Sequence, residues 1–158
     1  MGTRGIVVYT SFEKKYCYVK TYPFDSYPTG LGLTVCAKIR GKTWEKKKNE
    51  YIMKEGYSLE EIISSFGGEE LPEITFALNS LFCEWGYVVD LKNEVVEIYK
   101  GFNNTPLRET DRFFTKNQKE SIYYPIKLCR TMTFNWIRNQ TFEELQSDFK
   151  KFEESFEK

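Results

Sequence analysis

The stretch FCEWGYVVDLKNEVVEIYKG, residues 82–101, decides the fold. Cys83, Trp85, Tyr87, Val89 and Leu91 alternate onto one face, and Val95 to Tyr99 returns after a turn around Lys92-Asn93. Both arms are rich in aromatic and β-branched residues, so a β-hairpin is predicted here. A second hairpin is predicted upstream, where Ile6 to Phe12 and Tyr16 to Tyr22 flank Glu13-Lys14-Lys15. In its return arm Cys17, Val19 and Thr21 share one face. Tyr16, Tyr18, Lys20 and Tyr22 share the other, a half-polar surface.

Helical spacing takes over between and after the hairpins. Leu31, Val35, Cys36 and Ile39 predict a helix from Gly32 to Arg40, ended by Gly41. Thr43 to Lys54 reads as a second, highly charged helix with Trp44, Tyr51 and Ile52 as its apolar contacts. Ser58-Leu59-Glu60-Glu61 is a capping box opening a short helix that Gly67-Gly68 would close. Residues 102–121 are polar and turn-rich, and Ile122 to Ile137 reads as largely extended. There Ile126, Leu128, Arg130, Met132, Phe134 and Trp136 alternate. Thr141-Phe142-Glu143-Glu144 is another capping box, and Phe142, Leu145, Phe149, Phe152 and Phe156 form a core-facing stripe behind it. With no internal repeat or linker, the expectation is one α+β domain over residues 1–158. It would be an antiparallel β-sheet built from hairpins, packed against several helices including a C-terminal amphipathic one.

Composition narrows the function classes. The chain has 158 residues, 41% hydrophobic and 17% aromatic, enough to build a core without disulfides or metal. Lys plus Arg and Asp plus Glu are both 23, so no net field draws it to nucleic acid or membrane. The absence of histidine removes Ser-His-Asp and Cys-His catalysis and the H-E-x-x-H zinc site. Cys17, Cys36, Cys83 and Cys129 are widely spaced within apolar patterns and read as reduced core cysteines. No apolar run suits a signal peptide or a membrane span, and the expectation is a cytoplasmic protein without cofactor or metal.

The candidate site is the corner YPFDSYPTGLG, residues 22–32. Pro23 and Pro28 fix φ, Asp25 and Ser26 form side-chain turns, and Gly30 and Gly32 permit crowded backbone. If a helix starts there, the amides of Gly30, Leu31, Gly32 and Leu33 point outward at the positive dipole end, where an anion binds. Arg4 would pair with Asp25 or hold an anion by its planar fork. The ligand-binding set is therefore Arg4, Asp25, Ser26, Tyr27, Thr29, Gly30 and Gly32, with Tyr22, Lys38, Arg40 and Trp44 as additional contacts. No catalytic residue is assigned. The basic run from Lys38 to Lys48, with Trp44 as its single aromatic, is a weak nucleic-acid signal.

Gly2 to Gly5, Asp25 to Gly32 and Tyr87 to Tyr99 together resemble a loosely defined family from phages, large DNA viruses and fungi. That family shares a Gly-Thr-Arg-Gly start, an Asp-Ser-Tyr-Pro-x-Gly-Leu-Gly loop and an Asp-Leu hairpin. The likeness covers the first two thirds of the chain. This chain departs from it in having Tyr22-Pro23-Phe24 where Tyr-Asn-His often precedes the Asp. The family has no established activity, so the resemblance implies a related fold and a viral setting, with an accessory or counter-defence role in the host cytoplasm. The function expected is a binding protein that sequesters an anionic, nucleotide-like small molecule or inhibits a host protein. The alternatives are a histidine-independent hydrolase or transferase using Asp25 with Tyr27 or Arg4, and a protein-only interaction module that could form oligomers.

Overall fold

A computed structural model of the chain describes residues 3–10, 18–41, 44–47, 50–53, 76–116 and 122–156. The fold is α+β. Its centre is a five-stranded sheet of order β2-β1-β5-β6-β7. The strands are β1 (Gly5–Thr10), β2 (Tyr18–Tyr22), β5 (Trp85–Asp90), β6 (Val95–Lys100) and β7 (Lys127–Thr133). The hairpin of residues 82–101 forms as its alternation predicts, with Trp85 opposite Lys100 and Asp90 opposite Val95. β1 and β2 also pair antiparallel, but β1 lies parallel to β5, so the sheet is mixed. Every residue of β1 and β5 is buried, because both faces of these central strands are covered.

One face carries the helices α1 (Leu33–Gly41), α2 (Phe134–Arg138) and α3 (Phe142–Glu154). Val7, Tyr9, Tyr87, Val89 and Ile98 meet Cys36, Ile39, Ile137, Leu145 and Phe149 in that layer. The opposite face buries Ile6, Val8, Val88 and Tyr99 beneath Ala77, Leu107, Phe113 and Ile126, which come from irregular segments. No helix among the described residues is long and apolar enough to cross a membrane.

Three sequence expectations need correction. The helix predicted over Thr43 to Lys54 gives way, among its described residues, to two strands: β3 (Trp44–Lys47) and β4 (Glu50–Met53) pair antiparallel, Trp44 opposite Met53. The helix propensity of their Lys and Glu residues loses to strand pairing by segments that hold Trp44, Tyr51 and Ile52. The extended reading of 122–137 fails at Thr133. Its hydroxyl accepts from the Trp136 N–H at 3.0 Å and caps α2, so Phe134 and Trp136 are helical. The alternation also breaks inside β7, where a bulge lies opposite Ile98 and Tyr99. Cys129 is the extra residue, exposed instead of in the core.

The capping box at Thr141 forms on both sides, and Leu145 and Phe149 are buried as predicted. Phe152 is half-buried, while Phe142 and Phe156 are exposed. The predicted helix opening at Ser58 and the turn at Glu13-Lys14-Lys15 lie outside the described residues, as does Cys17.

Cys36 illustrates how this core titrates. Burial pushes its thiol from 9.0 up to about 12, partly opposed by Arg130. The contribution is whole below pH 9.0 and is lost as pH rises toward about 12, because only the unfolded chain ionises freely in between. Denaturation midpoints should therefore fall across that window, and less steeply in Cys36→Ala. An identical alkaline slope in that variant would contradict the assignment.

Candidate functional site

The corner at residues 22–32 is built as a lock. Pro28–Gly32 forms a single π-helical turn leading into α1. The Gly30 N–H donates to Tyr27 O at 2.9 Å, Leu31 to Asp25 O at 2.9 Å and Gly32 to Tyr27 O at 3.3 Å. The Leu33 N–H donates to Gly30 and Pro28 carbonyls. All four amides expected to face an anion are satisfied within the turn, and Leu31 and Gly32 are buried. The loop does receive a carboxylate, but it is the chain's own. Glu153 of α3 accepts from the Thr29 N–H at 3.1 Å and from its hydroxyl at 2.9 Å.

The other residues of the predicted site are divided between this lock and the surface. Ser26 is fully buried; its N–H donates to Thr3 O at 3.2 Å and its carbonyl accepts from the Tyr87 hydroxyl at 2.7 Å. Burial holds the Tyr87 phenol well above its ordinary pKa. Arg4 does not meet Asp25. Its N–H donates to Glu84 at 3.0 Å, its guanidinium lies 3.7 Å from the same carboxylate, and it stacks over Phe82. Asp25 and Tyr27 are exposed, Asp25 with a left-handed φ of 53°. Tyr22 is half-buried under Lys20, and Arg40 is exposed. The side chains of Lys38 and Trp44 lie outside the described set.

Two clefts border the β6–β7 pair, with Leu128 between them. The first, about 370 Å³, is lined by Glu97, Tyr99, Glu109, Asp111, Arg112 and Leu128. At its base Arg112 donates to Glu97 through Nε at 2.8 Å and a terminal nitrogen at 3.2 Å, and reaches Asp90 at 3.5 Å. Tyr99 donates to the same Glu97 at 2.8 Å. The Glu97 hydrogen bonds raise the Arg112 pKa against an opposing burial effect, so this cation is permanent and its charge is spent internally.

The second cleft, about 420 Å³, is lined by Lys100, Phe102, Asn104, Lys127, Cys129 and Phe156 among others. Lys100 is half-buried on the helix face of the sheet, its ammonium 5.1 Å from the Trp85 ring centroid and 4.7 Å from that of Phe102. Burial lowers its pKa, and Glu84 counters this only at longer range, its carboxylate being held by Arg4. Among the described residues no carboxylate stands within ion-pair distance of Lys100. Arg130 on the same face shows the contrast. It too lies over aromatic rings, those of Trp136, Phe149 and Phe152, but it is paired with Asp148.

The remaining groups around Lys100 are held in place. Phe102 keeps a left-handed φ of 52°, rare for so bulky a residue, because its N–H is tied to Ser80 O at 2.7 Å. Although Cys129 is exposed as a residue, its thiol turns back against the sheet to donate to Ile98 O at 3.2 Å, and desolvation of the sulfur there pushes its pKa up to about 12. Among the described residues no group of three or more Cys, Asp or Glu is placed to hold a metal ion.

Sequence reasoning overlooked Lys100, although its signal was present: Val96 and Ile98 face the core, and alternation puts Lys100 on that same inward side. Comparison with protein-family models, curated proteins and solved structures finds no match.

Proposed function

We propose that this chain is a non-enzymatic binding protein that holds an anionic small molecule in the Lys100 cleft. One observation carries the reading: a half-buried ammonium faces a cleft of about 420 Å³ with no carboxylate partner among the described residues. An unpaired cation withdrawn from water is unfavourable, and an anionic ligand offsets that cost. Phe102 and Phe156 add apolar walls suited to the body of an organic anion. Binding without conversion fits the groups at hand. The cleft offers two ammoniums and a thiol held protonated, and the chain has no histidine to move a proton near neutral pH. In the viral setting that the family resemblance implies, such binding would serve to sequester a host metabolite.

Thermal-shift and calorimetric titration against nucleoside monophosphates, aryl phosphates and aryl carboxylates tests this. Lys100→Met should weaken the best ligand by about ten- to a hundred-fold, the value of one charge-assisted contact. The same variant should melt at an equal or higher temperature without ligand, since it removes a half-buried cation that has no carboxylate within ion-pair distance among the described residues. Asp25→Asn should bind like the parent. Undiminished binding by Lys100→Met, or loss in Asp25→Asn, would return the site to the corner.

A further inference from the structure

We infer that the ligand of the Lys100 cleft carries a phosphate monoester dianion, gripped by Lys100 and Lys127 together; this rests on the anion-binding reading above. The argument begins with register. Trp85 stands opposite Lys100 across β5 and β6, and Lys100 stands opposite Lys127 across β6 and β7. Directly paired residues of antiparallel strands share a face, so the three side chains form one row across the sheet.

The bulge creates that row. Met132 pairs with Val96 and Arg130 with Ile98, but beyond Cys129 the pairing resumes with Leu128 at Tyr99 and Lys127 at Lys100. Had Cys129 paired in regular register with Tyr99 instead of bulging, Leu128 would stand opposite Lys100 and Lys127 would fall out of the row. Two like charges directly opposite on neighbouring strands repel, and no carboxylate among the described residues separates them. A local device therefore brings together two cations that the free protein gains nothing by pairing.

Lys127 is also aimed. Its ammonium donates to the Thr105 hydroxyl at 3.1 Å, which in turn donates to Asn103 at 2.7 Å. Asn103 is buried and fixed by Ser80 and Pro125. Lysine binds phosphate as a point charge, and two such charges side by side match the two charges of a phosphate dianion, where a carboxylate offers one. Phe102 and Phe156, each exposed by more than two fifths, flank the pair and provide apolar surface for the rest of the ligand.

The test uses phenyl phosphate and phenyl sulfate, which share shape and ring but differ by one charge. It is run by calorimetry on the full chain, well above the second phosphate pKa of about 6. Phenyl phosphate should bind at least about tenfold tighter, and the ratio should fall to about one in Lys127→Gln, an exposed position whose change leaves the fold intact. Lys127→Glu should abolish phosphate binding and raise the melting temperature of the free protein, because it replaces the repulsion by a cross-strand pair. Equal affinity for the two probes would overturn the dianion while leaving an anion site in place. A phosphate preference that survives Lys127→Gln would overturn the two-lysine grip. If neither probe binds, the anion-binding reading falls with it.

Discussion

Alanine at Gly5 or at Gly30 is expected to destabilise the fold by about 3 kcal/mol, the upper range for overpacking a rigid interior. A Cβ at Gly5 would lie 2.5 Å from the Ser26 Cβ and 2.8 Å from the Trp85 carbonyl oxygen. At Gly30 it would lie 2.4 Å from the carbonyl oxygen of Asp25, which is itself receiving the Leu31 N–H. Neither clash can be relieved by rotating a flexible side chain. Backbone must move, and in both places it is tied by hydrogen bonds to a buried neighbour. Denaturant midpoints measure the loss, with unchanged slopes showing that the native state is otherwise intact. The informative control is Asp25→Gly. Asp25 is exposed with φ of 53°, so glycine should be neutral or stabilising by up to about 1 kcal/mol. A corner kept for ligand contact would behave the other way, with Gly5→Ala well tolerated and Asp25→Gly costly to binding.

Removal of the Arg112 side chain is the second large effect. Arg112→Ala should cost about 3 kcal/mol, because it leaves Glu97 and Asp90 facing each other without their shared cation. Their side chains keep only 14% and 8% of their exposure, so solvent cannot compensate well. Arg112→Lys should recover only part of the loss, since an ammonium cannot donate in parallel to both Glu97 oxygens. The double variant Arg112→Met with Glu97→Met should be more stable than Arg112→Ala, since an apolar replacement of both partners strands less charge. A double-mutant cycle by chemical denaturation separates these terms. A coupling near zero would show that the cluster is ordinary surface electrostatics.

The contrast between these positions shows what the sequence could and could not carry. The 82–101 hairpin was legible because strand alternation, β-prone residues and a turn all agree there. The Thr141 capping box was legible for a similar reason: its partners are three residues apart. What failed depended on distant pairing. Nothing in Arg4 or Glu84 says that they meet across a parallel β1–β5 contact. Nothing in Cys129 announces a bulge, although that one residue decides which face Lys127 takes. The corner reads two ways for a subtler reason. Its glycines, prolines and Asp are what an anion loop would use, but the same residues let a backbone close on itself. Glu153, 124 residues away, then accepts from the Thr29 N–H and hydroxyl.

The pairing of β1 with β5 has a further consequence, for how the chain comes into being. Strand β1 is complete by Thr10, yet its parallel neighbour begins only at Trp85. During synthesis β1 can pair with β2 almost at once, but its other edge must wait for some 75 further residues. The edge that waits is Ile6-Val7-Val8-Tyr9, an apolar, strand-forming run of the kind that aggregates when left unpaired. Closure of that edge is a non-local step, entropically expensive and therefore slow. The lock of Ser26 against Thr3 and Gly5 forms within the first third of the chain and fixes the strand's position meanwhile. On this view Thr3 to Gly5 and the Asp-Ser-Tyr-Pro loop act as a folding brace, holding the first strand ready for a partner not yet made.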